Sequence, residues 1–184
     1  MTNNLKTTPL CQACQAAGGR MVDFHGWLLP VQFESIIAEH KAVREGAGMF
    51  DVSHMGQVLV EGKDAWAFLQ YVNCNNIKNT PGAGTYSHML TERGTIIDDL
   101  IAFCLTPEKF LVVVNAACRE EDVAWLQKHA PRFNVRVTDV SDQYGMIAVQ
   151  GPHAVEKLSR VLGDVNGVAR FHITPVVFEG AHGY

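Results

Sequence analysis

Two aspartates, Asp98 and Asp99, adjoin within the run Thr95-Ile96-Ile97-Asp98-Asp99-Leu100-Ile101-Ala102-Phe103, the strongest chemical signal in the chain. The run reads as a β-strand, because isoleucine and phenylalanine favour a pleated, half-buried surface and a glycine-containing turn precedes it. Successive strand residues point to opposite faces, so the two carboxylates cannot meet one ligand side by side. Asp99 shares its face with Ile97, Ile101, Phe103 and Leu105. A charge in such company is costly unless a partner or ligand meets it, which makes Asp99 a candidate for chemistry. The rival reading is a satisfied carboxylate at a strand edge, holding backbone N–H groups, and the run alone leaves both open.

The other reactive side chains form no comparable pattern. Cys11 and Cys14 make a C-x-x-C. Thr8 as a cap and Pro9 at the first helical position predict a helix there, ended by Gly18-Gly19. The two thiols then lie one turn apart, and no second C-x-x-C or C-x-x-H completes a tetrahedral site, so no metal is expected. Five cysteines without a framework or a secretory signal are expected to be reduced. The histidines at 25, 40, 88, 129, 153, 172 and 182 show no paired spacing, and His54 reads as a hydrogen-bonded structural residue. No G-x-S-x-G elbow supports hydrolysis by acyl transfer.

The elements that must position the aspartates follow from local patterning. Arg20 to Phe33 reads as irregular or extended chain with apolar anchors, and Ser35 to Arg44 has helical spacing through Ile36, Ile37, His40 and Val43, stopped by Gly46 and Gly48. A strand from Gly56 to Val60 precedes a helix from Asp64 to Tyr71. After the turn-rich Thr80 to Gly84, Thr85 to Leu90 and Thr95 to Leu105 flank a short hairpin turn at Glu92-Arg93-Gly94, and Phe110 to Asn115 returns as a third strand. Arg119 to His129 is an expected amphipathic helix with Val123, Trp125 and Leu126 inward. Asn134 to Val140 is a further strand.

A weak internal repeat is present. Gly56 to Gly62 precedes a helix bearing Ala65 and Leu69, and Gly145 to Gly151 precedes one bearing Ala154 and Leu158, with identical spacings 89 residues apart. These features predict an α+β fold of two related units, each an antiparallel sheet flanked by helices. The expected division is residues 1–50 plus 141–184 in a discontinuous, incomplete unit, and 51–140 in a second unit bearing the aspartate strand. A Rossmann reading fails for want of a glycine-rich phosphate loop. Val176-Val177-Phe178 reads as a strand entering a turn, and nothing after it closes the sheet, which suggests a fragment.

Composition excludes several classes. The 184 residues are 47% hydrophobic and 18% charged, a globular balance, with a net charge of −4 and no Lys/Arg cluster longer than a pair. Nucleic acid is therefore not an expected partner, and no apolar run is long enough to span a membrane. Met1 to Thr7 is polar and shows neither a signal nor a transit peptide, so the cytoplasm is the expected location.

Several segments together resemble the aminomethyltransferase (T-protein) family of the glycine cleavage system: Arg20-Met21-Val22-Asp23-Phe24-His25-Gly26-Trp27; Phe50-Asp51-Val52-Ser53-His54-Met55-Gly56; Tyr86-Ser87; Gly94-Thr95-Ile96-Ile97-Asp98-Asp99-Leu100-Ile101; Val113-Val114-Asn115-Ala116; and Ala148-Val149-Gln150-Gly151-Pro152. The resemblance covers roughly residues 8 to 160 and implies the family's folate-binding fold in truncated form. It further implies a transferase that passes the methylene of a lipoyl-bound aminomethyl group, carried by the H-protein, to tetrahydrofolate with release of ammonia, without a metal.

On the matching positions, the resemblance implies that Asp99 is the catalytic carboxylate beside the reactive nitrogens, while Met55, Tyr86, Ile101, Val113 and Asn115 line the folate cavity with it. Asp98 is expected to be structural. Tyr86 also fits a strand-end tyrosine, and Asn115 also fits a cap for the following helix. The glycine- and tyrosine-rich loop and later arginines of the family's second half have no counterpart here, so this chain alone is expected to be inactive or nearly so. Two alternatives stand beside this: another folate-dependent methyl or methylene transferase or demethylase of the superfamily, and an inactive fragment.

Overall fold

The computed structural model describes residues 5–184; of the polar stretch Met1 to Thr7, residues 1–4 lie outside the described residues. The chain divides into two units, residues 5–54 with Asp142–Gly167, and Met55–Ser141 with Val168–Tyr184. Residues 168–184 thus belong with the second unit, where the expectation had put them with the first. The cause is backbone pairing: the Gly84 N–H donates to the Phe171 carbonyl at 2.7 Å and the Ile173 N–H to the Gly82 carbonyl at 2.8 Å.

In the first unit, α1 (Cys11–Ala16) begins later than its sequence suggests, with Leu10 at the N-cap and no side-chain cap. Thr8, the expected cap, is buried and donates its hydroxyl to the Asp51 carboxylate instead. The stretch expected to be irregular or extended is extended, a hairpin of β1 (Met21–Phe24) paired antiparallel with β2 (Trp27–Pro30). Its tight turn places His25 and Gly26 at φ +50° and +84°, where glycine is at ease and histidine is not. Helix α2 (Ile36–Glu45) is capped by Ser35, whose hydroxyl accepts from the Ala38 N–H at 3.1 Å. Strand β3 (Gly48–Asp51) later pairs with β9 (Ile147–Gln150), and α5 (Ala154–Leu162) follows.

The second unit holds the larger sheet. Strands β4 (Gly56–Glu61), β5 (Gly84–Leu90), β6 (Ile96–Thr106), β7 (Lys109–Val114) and β8 (Arg136–Asp139) lie in the order β5-β6-β7-β4-β8, all antiparallel. Helices α3 (Ala65–Val72) and α4 (Arg119–His129) bury Phe68, Leu69 and Leu126 fully in one cluster with Val58, Val60, Val112 and Val114. Fully burying a side chain of this size is worth about 1.5–3 kcal/mol. The terminal segment folds as a small hairpin of β10 (Val176–Phe178) and β11 (Ala181–Gly183).

The internal repeat is visible in both units. Gly62 after β4 has φ +142°, and a Cβ there would stand 2.2 Å from the Asn134 carbonyl oxygen; Gly151 after β9 has φ +123°, and its Cβ would stand 2.5 Å from the Gly46 oxygen. Only glycine fits either turn.

Candidate functional site

Strand β6 alternates strictly between a covered and a half-covered face, and this decides the two aspartates. Asp98 shares the covered face with Leu100, Ala102 and Cys104 and is only 7% exposed. Ile97, Asp99, Ile101, Phe103 and Leu105 are half-buried. The expectation that Asp99 occupies the more desolvated face is therefore corrected: α3 and α4 cover the other side of the sheet, so the buried carboxylate is Asp98.

The sheet register gathers the remaining positions on the half-covered face. Tyr86 stands opposite Ile101, Ile101 opposite Val113, and Val113 opposite Gln57, one cross-strand row. Asp99 lies opposite His88 on β5. Tyr86 is exposed, and its ring meets His88 edge-on at 5.5 Å. Met55 is half-buried and immediately precedes Gly56, the partner of Val114, so the backbone brings it to the end of the sheet where Asn115 leaves β7.

Asn115 joins the two carboxylates. Its backbone N–H donates to Asp98 Oδ2 at 3.0 Å, and its Nδ2 donates to Asp98 Oδ1 at 2.9 Å, to Asp99 Oδ1 at 3.1 Å and to the Asp99 carbonyl at 3.2 Å. The amide so used does not cap the next helix, which starts later with Cys118 at its N-cap. On the far side, the Asp99 carboxylate, a hydrogen-bond acceptor beside the Tyr86 hydroxyl, holds the phenol above its usual pKa. The result is one half-exposed carboxylate, fixed by an amide and flanked by a phenol, over an aliphatic floor of Ile101 and Val113. Such a set can accept hydrogen bonds from a ligand's N–H groups, place a ring against Tyr86 and stabilise positive charge.

Two residues of this region escape sequence patterning. Asp122 on α4 is fully buried, and no N–H or O–H group of the described residues donates to either of its carboxyl oxygens. Gln57 is 4% exposed, with an unpartnered Nε2. Asp122 sits four residues after Cys118 and four before Leu126, a spacing on one helical face that is the sole hint the sequence offers of its burial.

Elsewhere, His54 departs from expectation: its Nδ1 is buried without a partner, its ring lies 6.2 Å from Phe24 and 6.3 Å from Trp27, and burial lowers its pKa. The first unit holds an apolar cavity of about 620 Å³ that contains none of the predicted site residues. Its one aspartate, Asp51, is engaged by the Thr8 hydroxyl and the Ser53 N–H. Among the described residues, no group of three or more His, Cys, Asp or Glu is placed to hold a metal ion, and no helix is long and apolar enough to cross a membrane.

The sequence pattern of the GCVT N-terminal domain matches residues 10–179. The chain is 50% identical over 155 residues to an aminomethyltransferase of Staphylococcus carnosus, and 48% identical over 160 residues to one of Staphylococcus haemolyticus. These alignments take in 84% and 86% of this chain but 43% and 44% of the relatives, so the chain spans less than half the length of these curated relatives. The crystal structure of glycine cleavage system aminomethyltransferase T from Bartonella henselae superposes with a TM-score of 0.81 at 36% identity, over 86% of this chain and 44% of that one. A heterotetrameric sarcosine oxidase from Corynebacterium sp. U-96 shares the fold alone, with a TM-score of 0.50 at 15% identity, over 79% of this chain and 77% of that one.

Proposed function

The chain belongs to the aminomethyltransferase family of the glycine cleavage system through its GCVT N-terminal domain, and from that premise we propose that its half-covered sheet face is one wall of a tetrahydrofolate site for aminomethyl transfer. The donor in this reading is the aminomethyl group on the lipoyl arm of the H-protein, the products include free ammonia, and the setting is one-carbon metabolism in the cytoplasm.

The observation that carries the reading is the Asp99 carboxylate, held by the Asn115 amide at 3.1 Å with the Tyr86 phenol beside it. A reduced pterin offers ring N–H donors and an apolar face, and the carboxylate, phenol and aliphatic floor match those features. Tetrahydrofolate, when bound, supplies the nitrogens that accept the one-carbon unit. Asp99 binds ligand N–H groups and stabilises positive charge that develops next to them. Asn115 fixes its rotamer, so little orientation remains to be lost on binding. Tyr86 sets its phenol beside Asp99 and offers its exposed ring to the ligand. Ile101 and Val113 exclude water beneath the ligand, and the flexible thioether of Met55 fills around it.

Calorimetric titration of the purified chain with tetrahydrofolate, beside Asp99→Asn, tests this. Weak saturable binding, above the low micromolar range, is expected of a chain that spans less than half the length of its curated relatives. Asp99→Asn should lower the affinity about tenfold or more, the effect of losing hydrogen bonds to a charged group. Equal heats from both proteins would remove Asp99 from the site.

A further inference from the structure

Helix α4 carries Glu120, Glu121 and Asp122 in its first turn, and only the third is buried. Asp122 is fully covered, no N–H or O–H group of the described residues donates to either of its carboxyl oxygens, and the described ion pairs of this unit engage Glu61, Glu92 and Asp139 instead. An ionised carboxylate in an apolar core without a cation is too costly to persist, so such a group keeps its proton. The acceptor for that proton is Asp98. Each oxygen of Asp98 already accepts an N–H from Asn115, which leaves the neutral form to Asp122. Burial first, then contact with Asp98 and the charge of Glu121, push Asp122 up to about 8. The neighbouring Cys118 thiol is raised as well, by burial first and then by Asp98 and Asp122.

We propose that Asp122 is a positioning residue for Asp99: one proton serves the buried pair Asp122 and Asp98, and through Asp98 and the Asn115 amide it sets the orientation of the Asp99 carboxylate. The groups that face Asp122 are Asp98 from β6 and, from its own helix and cap, Glu121 and Cys118. Loss of the proton would set two anions against each other beneath Asn115. The amide that bridges to Asp99 would then be drawn towards the doubly charged pair. The functional meaning rests on the reading of Asp99 given above; the proton and the coupling to Asn115 do not.

The test is an NMR titration of the full chain between pH 6 and 9, following the aspartate side-chain carbonyl carbons and the Asn115 side-chain amide. The expected result is one aspartate carboxyl titrating with a midpoint near 8, assigned to Asp122 through its own bonded nuclei, with the Asn115 amide moving at the same midpoint. Asp122→Asn should abolish the Asn115 movement. An Asn115 amide that ignores the Asp122 titration overturns the proposal, as does an Asp122 carboxyl ionised throughout. The wild-type titration alone decides this should the variant fail to fold. Tetrahydrofolate affinity over the same pH range separates the two readings: wild-type affinity that falls severalfold above pH 8, without that fall in Asp122→Asn, supports both. A coupled Asn115 with no folate binding at any pH overturns the folate reading and leaves the coupling standing.

Discussion

Strand β4 with α3, and strand β9 with α5, are two copies of one segment that come to differ in burial. In the first copy Ala65 and Leu69 are completely covered. In the second Ala154 is covered, Leu158 is half-covered, and Val155 and Val161 remain 48% and 55% exposed. The glycine turn is alike in both. What differs is the sheet beneath: β4 is flanked by β7 and β8 in a sheet of five strands, whereas β9 pairs with β3 alone. Local sequence thus shapes the turn and the approach of helix to strand, while burial depends on how many strands arrive from elsewhere in the chain.

The comparison is broken most directly at the leucines. Leu69→Ala should destabilise the second unit by about 2–5 kcal/mol, as for a fully buried leucine, while Leu158→Ala should cost the first unit about 1 kcal/mol or less. Urea unfolding followed by amide exchange in each unit would show it, and equal losses would end the claim that the copies differ in burial. The glycines sharpen the shared half of the comparison. Gly62→Ala and Gly151→Ala should each cost about 1–3 kcal/mol through backbone strain, and a harmless substitution at either would make that turn adaptable. The smallest contrast is electrostatic. Glu61 bridges Lys109 at 3.1 Å and Arg136 at 3.0 Å, and hydrogen bonds to Lys109 first and Arg136 second lower its pKa. A lowered carboxylate stabilises above its unfolded value near 4.3 and loses that contribution as pH falls through its folded value. Glu61→Gln should therefore cost up to about 1 kcal/mol at pH 7 and progressively less as pH falls through the folded pKa of Glu61, whereas Glu156→Gln on α5, where Arg160 and His153 are its solvent-exposed partners, should be near neutral throughout.

Much of this was legible in the chain. The strands of the aspartate sheet and the repeat announce themselves by periodicity, since side-chain alternation is a local property. Helix α4 does not, because its buried face carries Asp122 and His129 beside Leu126 and is not the apolar stripe expected of an amphipathic helix. The covered face of β6 was not legible. Alternation separates Asp98 from Asp99 but does not say which side the helices take, because α3 and α4 arrive from distant parts of the chain. Asp122 was hidden for a related reason. Among Glu120 and Glu121 it reads as part of a solvated acidic turn, and only its spacing of four from Cys118 and Leu126 hints otherwise. Asn115 stood between two roles in the sequence because it lies before a helix, where a cap is the ordinary use; the fold rules out the cap by starting that helix at Cys118 and puts two carboxylates within reach of the amide.

The loop that follows α3 has a bearing on colloidal behaviour. Along the outer margin of β5, the Cys74 N–H donates to the His88 carbonyl at 3.0 Å, Asn75 Nδ2 donates to the Tyr86 carbonyl at 2.9 Å, and Asn73 bridges to Met89. At the opposite margin β8 is four residues long and carries Arg136 and Asp139, with Asp139 held by Arg119 at 2.8 Å. One border of the five-stranded sheet is thus occupied by the chain's own backbone and amide groups, and the other is short and charged. Neither offers a free template on which a stray strand could grow, so the sheet guards itself against edge-to-edge polymerisation.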